Sequence, residues 1–240
     1  MDIKKPLGVI CAMENEAALL IGALKDRTQT VFSGCTFYKG SLSGTPAVVV
    51  RCGVGKVNAA RITQALIDRF EPAGVVNSGI AGGVGEGLHV GDVVIGTGLI
   101  QHDVDVTALG YAKGNLFEGE KTAPTVFCSD EKLCDLLKTS AAQAAPERGV
   151  HGGIIVSGDV FIAKQDTKKE LRETFGALAA EMEGAAVAHT AHYAGVPFAV
   201  LRVVSDLADG TAPASFDSFE DETAHLSAEI ICALAKRLAE

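Results

Sequence analysis

Three carboxylates in this chain stand where apolar runs stop. Glu16 follows the run that ends in Ala12-Met13, and Glu183 closes Ala179-Ala180-Glu181-Met182-Glu183 just before Gly184-Ala185-Ala186. Asp206 ends Phe198-Ala199-Val200-Leu201-Arg202-Val203-Val204-Ser205-Asp206. Acids placed this way can divide acid–base work: burial against an apolar wall keeps one carboxyl protonated, while a different environment leaves another ionised. For any one of them, capping a helix N-terminus is the plainer account, because Asp and Glu favour that position. Three acids at successive strand ends, with Arg202 at hand to hold one, read instead as a site.

Other chemistry-bearing residues point less firmly. His102-Asp103-Val104-Asp105 contains metal-capable side chains, and His189 and His192 lie one helical turn apart. Neither group has a third partner at a recognisable spacing, so solvated or core polar residues are the preferred reading over a metal site. No GxSxG elbow occurs, which removes the commonest route to a serine hydrolase. The six cysteines, at 11, 35, 52, 128, 134 and 232, form no CxxC pair and read as reduced, mostly buried thiols.

Two glycine clusters resemble phosphate loops but lack their spacing. Gly53-Val54-Gly55-Lys56-Val57 has no Ser or Thr after the lysine and too short a loop for a Walker motif. Gly79-Ile80-Ala81-Gly82-Gly83-Val84-Gly85 lacks GxGxxG and runs into a strand-like segment, not a helix. Both could let backbone approach a flat or sugar-like ligand at strand ends; a structural turn is an equally good reading of either one.

The elements that must position these residues alternate along the chain. Strands are expected over Leu7 to Ala12, Phe37 to Leu42, Pro46 to Cys52, Gly74 to Ser78, Asp92 to Gly96, Gly153 to Val156 and Phe198 to Val204, mostly as continuous apolar runs covered on both faces. Helices are expected over Glu14 to Leu24, Lys56 to Phe70, Asp130 to Ala145, Thr167 to Phe175, Glu183 to Ala194 and Asp217 to Leu238. Gly195 and Pro197 end the fifth, and Asp217 can cap the sixth. With no linker, repeat or low-complexity tract, the pattern predicts a single α/β domain, residues 1–240, with a mixed, twisted central sheet flanked by helices. The stretch from about His102 to Thr125 shows no pattern, and long loops of that kind are often functional or interfacial.

Bulk properties bound the rest. In 240 residues, 48% apolar but only 5% aromatic, the core must be aliphatic. A net charge of −9 argues against nucleic-acid or anionic-membrane surfaces, leaving small molecules or further copies of the chain as partners. The apolar run after Pro6 is too short for a secretory signal and no membrane-spanning run follows, so a cytoplasmic location is expected.

The ordered set of Gly8-Val9-Ile10-Cys11-Ala12-Met13-Glu14-Asn15-Glu16, Ser157-Gly158-Asp159-Val160-Phe161-Ile162, Glu181-Met182-Glu183 and Arg202-Val203-Val204-Ser205-Asp206 resembles the 5′-methylthioadenosine/S-adenosylhomocysteine nucleosidases of the nucleoside phosphorylase superfamily. The resemblance covers nearly the whole chain. It implies that Glu16 activates the attacking water and that Asp206 protonates the departing adenine at N7. Glu183 would grip the ribose hydroxyls with Met182 beside the sugar and Arg202 orienting the glutamate. Phe161 would stack on the purine and the backbone of Ile162 would read its edge. Val106, Leu109 and Phe216 would line the pocket for the 5′ substituent, partly from a second subunit of a homodimer. Ala12, Met13, Val54, Ile80, Val160, Glu181 and Ser205 would complete the substrate site. No metal or organic cofactor is implied.

Breaking an N-glycosidic bond builds positive charge on ribose and negative charge on the base, which is why a protonated acid near the purine and an anion at the sugar suit the chemistry. A phosphorylase of the same superfamily is the nearest alternative, with arginine and serine holding phosphate. Here Asn77-Ser78-Gly79-Ile80 contains no arginine, and the acidic Met13-Glu14-Asn15-Glu16 repels an anion. A non-catalytic nucleoside-binding protein should have lost one of Glu16, Glu183 and Asp206; all three are present. Ile80, where several relatives have serine, leaves Ser205 or Ser78 to hold Asp206. Leu109, where an aromatic is familiar, leaves the 5′ substituent open among methylthio, homocysteinyl, 5′-deoxy and 6-amino-6-deoxyfutalosine-type groups.

Overall fold

The first apolar run forms strand β1 (Leu7–Cys11), buried at every residue. A strand with no solvent-facing side needs cover above and below, and the alternation of strands and helices supplies it. The structure, a computed structural model, describes residues 5–208 and 212–240, without the side chain of residue 213. After β1 come α1 (Glu14–Ala23), β2 (Lys25–Phe32), β3 (Cys35–Leu42), β4 (Thr45–Arg51) and α2 (Lys56–Phe70). Then follow β5 (Gly74–Gly83), β6 (Val93–Gln101), β7 (Phe127–Cys128), α3 (Glu131–Ala144) and β8 (Val150–Ser157). The chain continues with α4 (Gln165–Phe175), β9 (Ala177–Glu181), α5 (Gly184–Tyr193), β10 (Phe198–Asp206) and α6 (Ala212–Ala239).

The strands form one mixed sheet in the order β10-β6-β8-β9-β5-β1-β4-β3-β2, with β7 on β6. Because β10 also pairs with β5, strands β5, β10, β6, β8 and β9 close on themselves, while β1, β4, β3 and β2 extend from β5 as an open wing. Strands β1 and β10 both run parallel to β5, so their carboxyl ends emerge together. The end of β5 then crosses to β9, pairing Gly82 with Ala180 and Gly83 with Ala179. At the end of β10 the register slips between Val204 and Asp206. Such irregularities re-aim side chains, and here Asp206 falls opposite Gly82.

Helices α1, α3 and α6 cover one face, with Leu20, Leu133, Leu137, Ile231 and Leu234 packed on Val9, Val49, Val76 and Leu201. On the other face, α2 and α5 set Ile62, Leu66, Ala185 and Val187 against Ile10, Val50, Val75 and Val200. Small residues along α5 let that helix lie close to the strands.

Three strands depart from the sequence reading. β2 is exposed throughout and mostly polar, and among the described residues it pairs with β3 alone, so no buried face marks it in sequence. β7 has two residues, and β9, Ala177-Leu178-Ala179-Ala180-Glu181, is too alanine-rich to announce a strand. α6 begins at Ala212, so Asp217 lies inside the helix and does not cap it. The reason is that Ala212 and Ala214 are good helix formers, so the helix begins ahead of the aspartate. The 102–125 stretch contains only the 3-10 turn Thr107–Leu109. The buried Asn115 organises it, donating through Nδ2 to the carbonyls of Glu118, Glu120 and Ala123. Among the described residues no helix is long and apolar enough to cross a membrane.

Candidate active site

At the carboxyl ends of β1, β5, β9 and β10 lies a cavity of about 220 Å³. Glu16, Glu181, Glu183 and Asp206 all line it, with Ala12, Met13, Val54, Ile80, Met182 and Ser205 between them and Phe161 and Phe216 at the rim. The two rings meet edge to face at 5.7 Å. Larger surface depressions beside α3 and α6 bring together no comparable set of buried carboxylates.

Glu16 reaches the cavity from the first turn of α1. Its Oε2 accepts from the amides of Ala12 and Met13, both at 2.9 Å, and its Oε1 from the amide of Ile80 at 3.2 Å. The capping account therefore holds in part, because the Met13 amide is an N-terminal group of α1. Burial pushes this carboxyl above the ordinary glutamate value, opposed by Arg202 and by the three amides. A raised value gives a carboxylate more strength as a base near neutrality. Gly79 makes the arrangement possible, since a Cβ there would overlap the Glu16 carboxylate.

Asp206 is only 1% exposed. Its Oδ2 accepts from Ser205 Oγ at 2.9 Å and its Oδ1 from the Ala208 amide at 2.8 Å. A Cβ at Gly82 would lie 3.1 Å from Asp206 Oδ1. Gly79 and Gly82 of this second cluster thus open space for the protein's own carboxylates. Ser78 turns away, its Oγ 2.6 Å from Ser227 Oγ, so Ser205 is the serine that holds Asp206.

Glu183 is the N-cap residue of α5, yet its side chain makes no capping bond. That duty falls to Glu181, whose Oε2 accepts from the amides of Glu183 at 3.0 Å and Gly184 at 2.8 Å. Glu181 also accepts from Ser157 Oγ and pairs with Arg202 Nη2. With those partners its lone pairs are spent, and it serves as an anchor. Glu183 Oε1 accepts instead from the Gly55 amide at 2.8 Å. Burial and the charge of Glu181 raise the Glu183 carboxyl to about 7, against the pull of Arg202 and the Gly55 amide.

Arg202 lies behind these acids, 1% exposed. Besides Glu181, its Nη2 donates to Asn77 Oδ1 at 2.5 Å and its Nη1 to the Leu201 carbonyl at 3.0 Å, while Glu183 Oε2 is 3.9 Å away. Arg202 therefore bonds Glu181 directly and stands within ion-pair range of Glu183, on which it acts by charge across 3.9 Å and not through a hydrogen bond. The physical reason is register: Glu181 ends β9 within reach of Arg202, whereas Glu183 has turned into α5. Cys11 and Cys52 stand beside this cluster as neutral thiols, Cys11 raised well above its usual value by burial and Cys52 pushed up to about 12.

A family model described as the phosphorylase superfamily matches residues 6–240. A 5′-methylthioadenosine/S-adenosylhomocysteine nucleosidase of Actinobacillus succinogenes is 41% identical over 97% of this chain and 99% of its own. The chain belongs to this nucleosidase family, within the phosphorylase superfamily. Its fold is shared by the Neisseria meningitidis nucleosidase solved with methylthio-immucillin-A, at TM-score 0.90 and 42% identity, covering 97% of this chain and 99% of that one. The Colwellia psychrerythraea nucleosidase solved with adenine gives TM-score 0.91 and 36% identity, covering 98% and 96%.

Several residues that the nucleosidase resemblance implies lie off the single-chain cavity. Leu109 is 64% exposed, and it and Val106 belong to the 3-10 turn region, outside the cavity lining. Val160 is exposed, and Ile162 is buried in a small core with Ile100 and Val156, leaving only its backbone for a ligand. Ser157 and Asn77 stand in segments singled out in the sequence, but their roles in fixing Glu181 and Arg202 are not legible there. Their one signal is a small polar residue within or ending an otherwise apolar strand. His189 stacks on Phe127 at 4.6 Å, and among the described residues no group of three or more His, Cys, Asp or Glu could hold a metal ion.

Proposed function

We propose that this protein hydrolyses the N-glycosidic bond of 5′-methylthioadenosine and S-adenosylhomocysteine, releasing adenine and the 5′-thio-substituted ribose. The observation that carries the proposal is the convergence of Glu16, Glu183 and Asp206 on one small cavity whose described lining contains no lysine, arginine or histidine. Negative walls stabilise a ribose that becomes cationic and repel phosphate, so water is the nucleophile. Glu16, ionised, takes the proton of the attacking water. Asp206 gives its proton to N7 of the purine, which leaves as neutral adenine. Glu183 accepts from the ribose hydroxyls, and its attraction for the sugar grows as positive charge develops.

Phe161 stacks on the purine and the backbone of Ile162, beside Val160, reads its edge. Met182 lies against the sugar. Met13, Val54 and Phe216 line the 5′ side, and Val106 and Leu109 of a second copy close it in a homodimer. Support for that assembly comes from Val57, Leu109, Phe117 and Tyr193, apolar or aromatic side chains more than half exposed on α2, the 102–125 loop and α5. The test is incubation with methylthioadenosine in phosphate-free buffer. Adenine release supports hydrolysis, release that requires phosphate supports the phosphorylase, and binding without turnover supports a non-catalytic protein.

A further inference from the structure

Outside the cavity, one closed ring of polar contacts serves none of the roles assigned above. The Lys56 amide donates to Asp159 Oδ1 at 2.8 Å, the Asp159 amide donates to Asp103 Oδ2 at 3.0 Å, and Asp103 Oδ1 pairs with Lys56 Nζ at 2.6 Å. Lys56 Nζ also donates to Gln101 Oε1 at 3.1 Å. On one side of the ring is Gly55, whose amide holds Glu183. On the other side Asp159 is followed by Val160 and Phe161, the edge of the cavity. The fit is tight: a Cβ at Gly55 would come within 3.1 Å of Asp159 Oδ1, and one at Gly158 would overlap the buried His102 ring.

We propose that Asp159 is a positioning residue for glycosidic cleavage, locking the Gly53–Lys56 turn against the Val160–Phe161 wall so that the Gly55 amide stays on Glu183. The inference rests on the nucleosidase reading of the cavity. Its consequence is electrostatic as well as geometric. Glu183 is faced by the Gly55 amide, by Glu181 at the end of β9, Arg202 on β10, Glu16 on α1 and the Cys52 thiol after β4. Among these the Gly55 amide and Arg202 favour the carboxylate, and the ring governs the first. If the turn loosens, Glu183 loses a donor and holds its proton to higher pH.

The experiment is the pH profile of kcat/KM for adenine release by the wild type, Asp159→Ala and Asp159→Asn, with thermal unfolding as a control on folding. In the alanine variant kcat/KM should fall on the order of 10-fold at pH 7, with the acid limb moved upward and the deficit shrinking at higher pH. Asparagine keeps an acceptor for the Lys56 amide and should recover most of the loss. If Asp159→Ala fails to fold, Lys56→Met opens the same ring from its other end and should move the acid limb in the same direction. A folded variant with wild-type kcat/KM and an unmoved acid limb overturns the inference, as does a loss that is uniform with pH. A wild type that releases no adenine overturns the nucleosidase reading as well.

Discussion

Glu183 shows how one side chain can set activity and stability in opposition. Its carboxyl is raised to about 7 by burial and by Glu181, so below that value it carries a proton. The role proposed for Glu183 at the ribose needs the ionised form, and on that proposal kcat/KM should fall about tenfold per pH unit on the acid side of 7. Stability runs the other way. A carboxyl whose folded value exceeds its unfolded one costs nothing below the unfolded value and progressively more up to the folded one. Glu183→Gln should thus match the wild type near pH 4 and exceed it by about 1–3 kcal/mol at pH 8, read by denaturant unfolding; equal stability at both values would contradict the assignment. Glu16, Glu183 and Asp206 could be picked out in the sequence because three acids close successive apolar runs; any one of them alone reads at least equally well as a helix cap. The division of labour between Glu181 and Glu183 could not, since it depends on which of the two reaches Arg202 from β9 past β5, the strand that both β9 and β10 pair with.

Among the elements, those with a buried face announce themselves and those without do not. Helix α2 is read from Lys56 to Phe70 at both ends, with Ile62 and Leu66 on its buried face and Glu71 in a left-handed conformation at its C-cap. β2 has no buried residue and β9 consists largely of alanine, so neither the period nor the composition marks them. Yet β9 delivers Glu181 to Arg202, and the β9–β10 polar junction is the element-scale support of the site. Removing the cation leaves Glu181 buried without its ion-pair partner. Arg202→Leu should destabilise the fold by about 3–5 kcal/mol in chemical denaturation, whereas a loss under 1 kcal/mol would mean that the amides and Ser157 satisfy Glu181 by themselves. The register slip at the end of β10, which turns Asp206 toward Gly82, depends on pairing with a strand more than a hundred residues earlier and leaves no local mark.

At the scale of the molecule, the mixed α/β architecture follows from the alternation of apolar runs and helices, but the closure of β10 onto β5 does not, because long-range pairing is invisible to periodicity. That closure brings the ends of β1, β5, β9 and β10 around one cavity. The apolar and aromatic side chains left exposed near the 102–125 loop belong to the same scale. A homodimer is expected by sedimentation at micromolar concentration, with Leu109→Asp weakening either the assembly or the use of 5′-thio substrates; a monomer at all concentrations would count against a shared pocket. The central claim, that buried acids on distant segments act together on one nucleoside, is tested most directly by adenine release from methylthioadenosine in phosphate-free buffer by the wild type and by Asp206→Asn. The account expects turnover by the wild type and a loss of at least about 10²-fold in a variant that unfolds as the wild type does. Near-wild-type turnover by folded Asp206→Asn would remove Asp206 from the chemistry and contradict it.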